Sequence, residues 1–163
     1  MKNKNNNVSE KIYLAKETLE KYQKEYEYLV NVERPAVQLA LKEARAQGDL
    51  SENAEYDAAR EKQGIVEGRI NELELILDRV EIIENDSTGL IGIGTTVTLK
   101  FLETNEIKNI TIMGTHDVNP FEDKISNKSP LAIAIMGKKV GDVVEVDVQQ
   151  KSNVEIITVM QQK

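Results

Sequence analysis

The sequence predicts an α+β protein of two domains, an N-terminal antiparallel helical hairpin followed by a small mixed α/β domain. The first observation is the distribution of charge, because 31 of the 49 charged residues lie in the first 84 positions. The second is the hydrophobic period, which changes from steps of three and four residues to strict alternation near residue 85. The run 84–89, ENDSTG, is typical of a linker. We therefore predict domains at 1–84 and 85–163.

The composition excludes several classes of function. A net charge of −7 argues against binding of nucleic acid by bulk electrostatics, so any basic site must be local. An aromatic content of 4% without Trp argues against an aromatic-lined pocket for a small molecule. With no Cys and one His, only carboxylates remain as charged ligands for a metal ion.

The hydropathy pattern argues against contact with a membrane. The longest apolar run, 131–136, is far shorter than the roughly 20 residues that a spanning helix needs. The Lys-rich and Asn-rich opening segment lacks the apolar stretch of a secretory leader. We expect a soluble, cytoplasmic protein, and a monomer suffices because a hairpin buries its own apolar stripes.

The first helical stretch has an apolar stripe with three-four spacing, and Ser9 is its predicted N-cap. The stripe consists of Ile12, Ala15, Leu19, Tyr22, Tyr26 and Leu29. Pro35 disfavours helical geometry at Arg34, so we predict a kink or short break there. A second helical stretch then runs to about Gln47, and its apolar face is Val37, Leu41 and Ala44.

A returning helix follows the break at Gly48-Asp49-Leu50-Ser51. Its coiled-coil seam is predicted at Tyr56, Ala59, Gln63, Val66, Ile70, Leu73, Leu77 and Val80. Two such helices joined by a short turn fold back as an antiparallel hairpin, because each stripe is otherwise exposed. We call residues 48–57, which contain this turn, the tip.

The second domain is predicted to contain short strands and one short helix. Apolar residues alternate along 96–101, 144–148 and 154–160, which indicates strands. Ser129, Pro130 and Gly137 have the spacing of an N-cap, a first-turn proline and a glycine stop around a short helix.

The tip carries four carboxylates within nine residues, at Asp49, Glu52, Glu55 and Asp57. One interpretation is structural, since Asp49 with Glu52 three residues later resembles a capping box. The other is that these oxygens bind a divalent cation, with Mg²⁺ favoured because it takes one or two carboxylates plus water and phosphate. Two or three acids cannot complete an octahedral coordination shell. A partner would therefore have to supply the remaining ligands.

Several segments together resemble the GreA/GreB family of bacterial transcript-cleavage factors. In the first half these are Glu43-Ala44-Arg45, Gly48-Asp49-Leu50, Glu52-Asn53-Ala54-Glu55-Tyr56, Ala58-Ala59-Arg60-Glu61 and Glu67-Gly68-Arg69-Ile70. In the second half they are Ser129-Pro130-Leu131-Ala132, Gly137-Lys138 and Val140-Gly141-Asp142-Val143-Val144. The resemblance covers nearly the whole chain.

The resemblance implies an N-terminal coiled-coil hairpin and a C-terminal FKBP-like domain. It implies that the hairpin enters the secondary channel of RNA polymerase and stimulates the polymerase's own cleavage of the nascent RNA 3′ end in backtracked complexes. Asp49 and Glu52 match the acids held to position a second Mg²⁺, shared with the polymerase, and an attacking water. On this basis the chain is not an enzyme by itself.

The resemblance also assigns expectations to other residues. The tip residues expected to shape the tip or contact polymerase are Asn53, Glu55 and Tyr56, of which Tyr56 fits the apolar seam equally well. Arg45 and Arg60 flank the tip and are expected to contact RNA or polymerase, or to form an ordinary solvated face. Docking of the second domain is expected at Phe121, Ser129 and Pro130. Cations along the hairpin alternate with acids, which favours short cleavage products within this family.

Three alternatives remain open at the level of sequence. A peptidyl-prolyl isomerase would need an aromatic pocket, and the second domain has only Phe101 and Phe121. A coiled-coil adaptor would use the acids of the tip as caps only. An inhibitory paralogue would enter the same channel and block it.

Overall fold

The computed structural model describes residues 10–49, 53–84 and 88–161. These residues form two compact units, the helical segment Leu19–Arg79 and a unit containing residues 10–18 and 80–161. This division differs from the predicted boundary after residue 84. The reason is that strand β1, Ile12–Leu14, pairs in parallel with strand β2, Val80–Ile82, and both belong to the second unit.

The helical hairpin has one helical arm in three parts and one continuous returning helix. The first arm consists of helix α1 (Lys16–Tyr28), a π-helical turn (Leu29–Glu33) and helix α2 (Arg34–Ala46). Helix α3 (Ala54–Arg79) returns alongside it. The prediction that Ile12 and Val80 belong to these helices is wrong, because both residues lie in the paired strands β1 and β2. Among the described residues, no helix is long and apolar enough to cross a membrane.

The predicted break at Arg34-Pro35 is a π-helical turn instead. Arg34 keeps helical angles, with φ −58° and ψ −50°, and its amide donates to the carbonyl of Leu29. Proline has no amide hydrogen, and its ring clashes with the carbonyl four residues earlier in a regular helix. The wider π-helical turn immediately before Pro35 relieves the clash between the proline ring and that carbonyl. The first arm therefore continues through Pro35 in helical geometry.

The core of the hairpin follows the stripes predicted for α2 and α3, whereas the stripe predicted for the first helical stretch is only half-buried in α1, which has no buried residue. The buried residues of α2 are Val37, Leu41 and Ala44, as predicted. Those of α3 are Ala59, Val66, Ile70, Leu73 and Ile76. The stripe was predicted to continue at Leu77, which is only half-buried. Ile76 and Leu77 lie three and four residues after Leu73, so both neighbour it on the helix surface. Spacing alone therefore could not show which of the two is buried.

Two bidentate ion pairs join the arms of the hairpin. Arg34 donates to both carboxylate oxygens of Glu67 at 2.7 and 2.9 Å. Arg69 donates to Glu25 at 2.7 and 3.0 Å, and its guanidinium also lies over the ring of Tyr22 at 5.5 Å. These hydrogen bonds lower the pKa of Glu67 and of Glu25 from the usual value of 4.5. Arginine favours this fork geometry, which fixes the two arms in register.

The second unit is built on a five-stranded mixed sheet in the order β5-β4-β3-β7-β6. The strands are β3 (Thr95–Phe101), β4 (Glu106–Met113), β5 (Lys124–Ser126), β6 (Val143–Val146) and β7 (Ser152–Gln161). Helix α4 (Pro130–Ile135) packs its buried Ala132 and Ile135 into the core of this sheet. The predicted start of α4 is confirmed, because the Ser129 hydroxyl accepts from the Ala132 amide at 3.3 Å.

A bulge changes the predicted face of β7. Thr98 pairs with Thr158, whereas the next residue of β3, Leu99, pairs with Ile156. One extra residue on β7 therefore reverses the alternation of side chains. Val154 and Ile156 are buried, but Met160, predicted to continue their period, is 62% exposed.

The beginning of α1 is held by a residue that lies about a hundred positions away in sequence. The carboxylate of Asp117 accepts hydrogen bonds from the Ala15 amide at 2.9 Å and from the Thr18 hydroxyl. A Cβ at nearby Gly114 would lie 1.9 Å from the Tyr13 carbonyl oxygen, so only glycine permits this approach. Ser9, the predicted cap, lies outside the described residues.

We predict that Asp117→Ala lowers the free energy of unfolding by about 1–2 kcal/mol, because the first turn of α1 loses an acceptor for the Ala15 amide. Urea denaturation followed by circular dichroism measures this change. Asp147→Ala is the matched control, since it removes the same charge from an exposed loop of the same unit. Equal effects of the two substitutions would contradict the capping role.

We predict that the hairpin loses stability in acid through its bidentate ion pairs. A carboxyl with a lowered pKa in the folded state stabilises the fold above its usual pKa of 4.5, and this contribution disappears as the pH falls through the lowered value. The free energy of unfolding of wild type should therefore fall from about pH 5 downward. Arg34→Gln/Arg69→Gln should flatten this slope.

The control for that measurement is Lys42→Gln/Lys138→Gln, which removes two cations whose side chains are exposed. Its slope between neutral and acid pH should match that of wild type. If the control flattens the slope as much as Arg34→Gln/Arg69→Gln does, net charge rather than the ion pairs causes the acid sensitivity.

Candidate functional site at the hairpin turn

Asn53 joins the end of α2 to the beginning of α3. Its side-chain carbonyl accepts from the Tyr56 amide at 3.1 Å, which is the hydrogen bond of an N-cap. Its side-chain amide donates to the Ala44 carbonyl at 2.7 Å, and this carbonyl is one of the last of α2. One amide side chain therefore caps the beginning of α3 and gives the Ala44 carbonyl a second donor beside the Gln47 amide.

Asp49 lies at the tip immediately after the end of α2. Gly48, with φ +118°, provides the backbone conformation that ends the helical region, and Asp49 follows it with an exposed side chain. The predicted capping role of Asp49 is wrong, because α3 begins at Ala54 and its N-cap is Asn53. Glu52, its predicted partner, lies outside the described residues.

Asp49 is the described member of the predicted Mg²⁺ pair, and its side chain is exposed. An exposed carboxylate is a hard oxygen donor of the kind that Mg²⁺ takes. Within residues 10–49, 53–84 and 88–161, no group of three or more His, Cys, Asp or Glu side chains is placed to hold a metal ion. The predicted Mg²⁺ site stays a prediction.

Arg45, Tyr56 and Arg60 form a second cluster at the tip, which we call the Arg-Tyr-Arg cluster. The guanidinium of Arg45, on α2, lies 5.7 Å from the centre of the Tyr56 ring. The guanidinium of Arg60, one turn along α3, lies 6.0 Å from the same ring. A hydrogen bond from Arg45, assisted by the charges of both arginines, lowers the pKa of the Tyr56 hydroxyl. Tyr56 also packs against the hairpin core, as its seam position predicts.

The acids of the first turn of α3 face solvent. Glu55 and Asp57 are exposed and lie where negative charge is favourable near a helix N-terminus. This placement explains their presence without a ligand. The predicted contact of Glu55 with polymerase stays a prediction.

The three residues predicted to dock the second domain occupy two different places. Phe121 lies in a short 3₁₀ turn (Pro120–Glu122) and is 99% exposed. Ser129 and Pro130 line an apolar groove of about 300 Å³ with side chains from the sheet, and Phe121 is not part of its lining. The structure thus brings together Ser129 and Pro130 only. Docking itself stays a prediction for all three.

Sequence reasoning missed two features of this site. The cap by Asn53 was hidden because the acidic pair Asp49 and Glu52 offered an alternative start for the helix. The Arg-Tyr-Arg cluster joins Arg45 on one helix to Tyr56 and Arg60 on another, and only the pairing of α2 with α3 reveals it. A signal was available for part of the cluster, since Tyr56 and Arg60 are four residues apart on one helix face.

Comparison with known proteins gives matches along nearly the whole chain. A family described as "Transcription elongation factor, N-terminal" matches residues 12–82, and one described as "Transcription elongation factor, GreA/GreB, C-term" matches residues 86–161. The transcription elongation factor GreA of Mycoplasmopsis agalactiae is 58% identical over 154 residues, which are 93% of this chain and 94% of that protein. The GreA of Mesomycoplasma hyopneumoniae strain 232 is 50% identical over 156 residues, with 95% and 98% covered.

Among solved structures, the crystal structure of GreA factor homolog 1 from Thermus thermophilus is similar to this chain. The two share 26% sequence identity and have a TM-score of 0.43. The match covers 92% of this chain and 99% of that chain.

We predict that Asn53 stabilises the tip through both of its hydrogen bonds. Asn53→Ala should lower the free energy of unfolding by about 1–2 kcal/mol. Asn53→Ser should lower it less, because a serine hydroxyl still accepts from the Tyr56 amide but no longer reaches Ala44. Asn71→Ala, an exposed position on α3, is the control in urea denaturation. The prediction fails if Asn53→Ala costs no more than Asn71→Ala.

Proposed function

The chain belongs to the GreA/GreB family of transcription elongation factors, and we propose that it stimulates RNA cleavage by bacterial RNA polymerase in backtracked complexes. In this proposal the hairpin enters the secondary channel and presents its tip to the polymerase active centre. The observation that carries the proposal is the exposed carboxylate of Asp49 at a hairpin turn that Asn53 fixes. The cleavage products are short 3′ fragments.

Asp49 and Glu52 would hold a Mg²⁺ ion together with ligands of the polymerase. Such an ion, when bound, stabilises the attacking and leaving oxygens of a phosphoryl transfer. Asp49 contributes a carboxylate oxygen, and its exposure leaves it accessible to a partner's active centre. Asn53 links the end of α2 to the beginning of α3, which reduces the conformational entropy that these helix ends lose when a partner binds.

We propose that the chain has no catalytic site of its own. Two carboxylates leave most of an octahedral Mg²⁺ shell open, so the polymerase must supply the remaining protein ligands. The isolated chain therefore binds Mg²⁺ weakly and hydrolyses no RNA. In this proposal a monomer acts in the cytoplasm and contacts the nascent RNA 3′ end only within the polymerase complex.

Docking of the second unit on polymerase is assigned to Phe121, Ser129 and Pro130. Phe121 is 99% exposed, so its ring contributes no buried apolar area to the fold and is available for contact with a partner. Ser129 and Pro130 are held rigidly by the beginning of α4, where Ser129 is the N-cap. Rigid positions of this kind lose little entropy when a partner binds.

We predict that the full chain accelerates release of short fragments from 3′-labelled RNA in a stalled, backtracked elongation complex with Mg²⁺. Asp49→Ala/Glu52→Ala should reduce this acceleration by at least about a hundredfold, because the added ion loses both carboxylates. The variant should still bind polymerase, as measured by competition with labelled wild type.

The matched control is Asp57→Ala/Glu61→Ala, which removes two exposed acids from the first turns of α3. Its rate of cleavage should stay within about threefold of the wild-type rate, which corresponds to only a small change in activation free energy. If wild type suppresses cleavage while binding polymerase, the chain is an inhibitor that enters the channel. If Asp49→Ala/Glu52→Ala only lowers the melting temperature and cleavage is unchanged, the tip acids have a structural role.

A further inference from the structure

We propose that Tyr56 is a positioning residue that holds Arg45 and Arg60 together at one side of the tip. This inference deepens the proposed function and rests on it, because the arginines are positioned for the RNA-bearing active centre of the polymerase. It differs from the earlier expectation for Tyr56, which was a direct contact with polymerase or simple packing.

The two arginines come from different helices, and Tyr56 is the side chain that both of them contact. Arg45 lies in the last turn of α2, and Arg60 lies in the second turn of α3. Their guanidiniums are 5.7 and 6.0 Å from the centre of one aromatic ring. Two cations repel each other, so an electron-rich ring that attracts both offsets part of the cost of bringing them close.

The ring itself is fixed from two directions. Tyr56 packs against the buried core that includes Val37, Ala59 and Val66. Its backbone amide is held by the Asn53 side chain at 3.1 Å. The ring is therefore anchored by the same interactions that form the turn, whereas the arginine side chains are exposed.

Electrostatics within the cluster agree with this arrangement. The hydrogen bond from Arg45 and the charges of Arg45 and Arg60 lower the pKa of the Tyr56 hydroxyl. The hydrogen bond from Arg45 is the largest cause of this shift, and the nearby charge of Arg60 acts in the same direction. An exposed arginine otherwise samples many rotamers and loses conformational entropy when it is fixed. Stacking on an anchored ring removes much of that loss before a partner arrives.

The experiment compares Tyr56→Phe with Tyr56→Leu in the full chain. Phenylalanine keeps the ring and its attraction for cations, whereas leucine keeps apolar packing without it. We expect Tyr56→Phe to retain cleavage in backtracked complexes within about threefold, and Tyr56→Leu to lose roughly tenfold or more. Tyr22→Leu is the matched control, because Tyr22 also lies under an arginine, Arg69 at 5.5 Å, but away from the tip.

A double-mutant comparison separates positioning from packing. If Tyr56 acts through the arginines, Tyr56→Leu should cause no further loss of cleavage in an Arg45→Gln/Arg60→Gln background. A full additional loss overturns the proposal, as does a Tyr56→Leu chain that cleaves like wild type. Equal losses from Tyr56→Leu and Tyr22→Leu would also overturn it, because they would reflect stability alone.

A readout that needs no polymerase keeps the inference distinct from the proposed function. NMR relaxation of the arginine Nε groups reports their mobility, and both Arg45 and Arg60 should become more mobile in Tyr56→Leu. The increase should be smaller in Tyr56→Phe, which keeps the ring and loses only the hydroxyl that accepts from Arg45. Unchanged mobility in Tyr56→Leu overturns the proposal even where cleavage falls. If wild type stimulates no cleavage but mobility rises as expected, the proposed function fails while the positioning of the arginines stands.

Discussion

The side chain of Asn53 is the constraint on which the geometry of the tip depends. The first amides of α3 have no acceptor within the helix, and the Ala44 carbonyl near the end of α2 accepts one hydrogen bond, from the Gln47 amide, without Asn53. Asn53 is one of the few residue types that donates and accepts at once, and it does both here, at 2.7 and 3.1 Å. A carboxylate in its place would accept only, and a lysine would donate only. The amide therefore suits the position more than a residue of either charge.

The register of the hairpin is fixed further along by interactions of another kind. Arg34 and Arg69 each form a two-point contact with a carboxylate on the opposite arm, and such a fork tolerates little sliding. The π-helical turn before Pro35 adds a residue to one turn of the first arm, and Arg34 is the first residue after it. A regular helix in that place would rotate Arg34 relative to Glu67. Backbone geometry and ion pairing thus specify the same alignment of the arms.

The sequence was informative where structure follows local periodicity and failed where distant residues decide it. Three-four spacing located Val37, Leu41 and Ala44, and cap residues located the beginning of α4 at Ser129. The parallel pairing of Ile12 with Val80 and the cap on α1 from Asp117 join residues that are far apart in sequence. No local pattern reports such contacts. The bulge in β7 was not predicted for another reason. One inserted residue leaves the strand apolar and changes only which side chains face the core.

The Arg-Tyr-Arg cluster concentrates positive charge locally in a chain whose net charge is negative. In the proposed function, a chain with a net charge of −7 repels RNA at long range, so the proposed contact with RNA has to come from short-range groups placed in advance. Acids alternate with cations along the hairpin, and a single exposed arginine among them would be screened and mobile. Two guanidiniums held on one anchored ring concentrate positive charge beside the tip, close in sequence to Asp49. Positive charge from α2 and α3 thereby lies beside the acids of the tip, as the proposed site for an RNA phosphate and a cation requires.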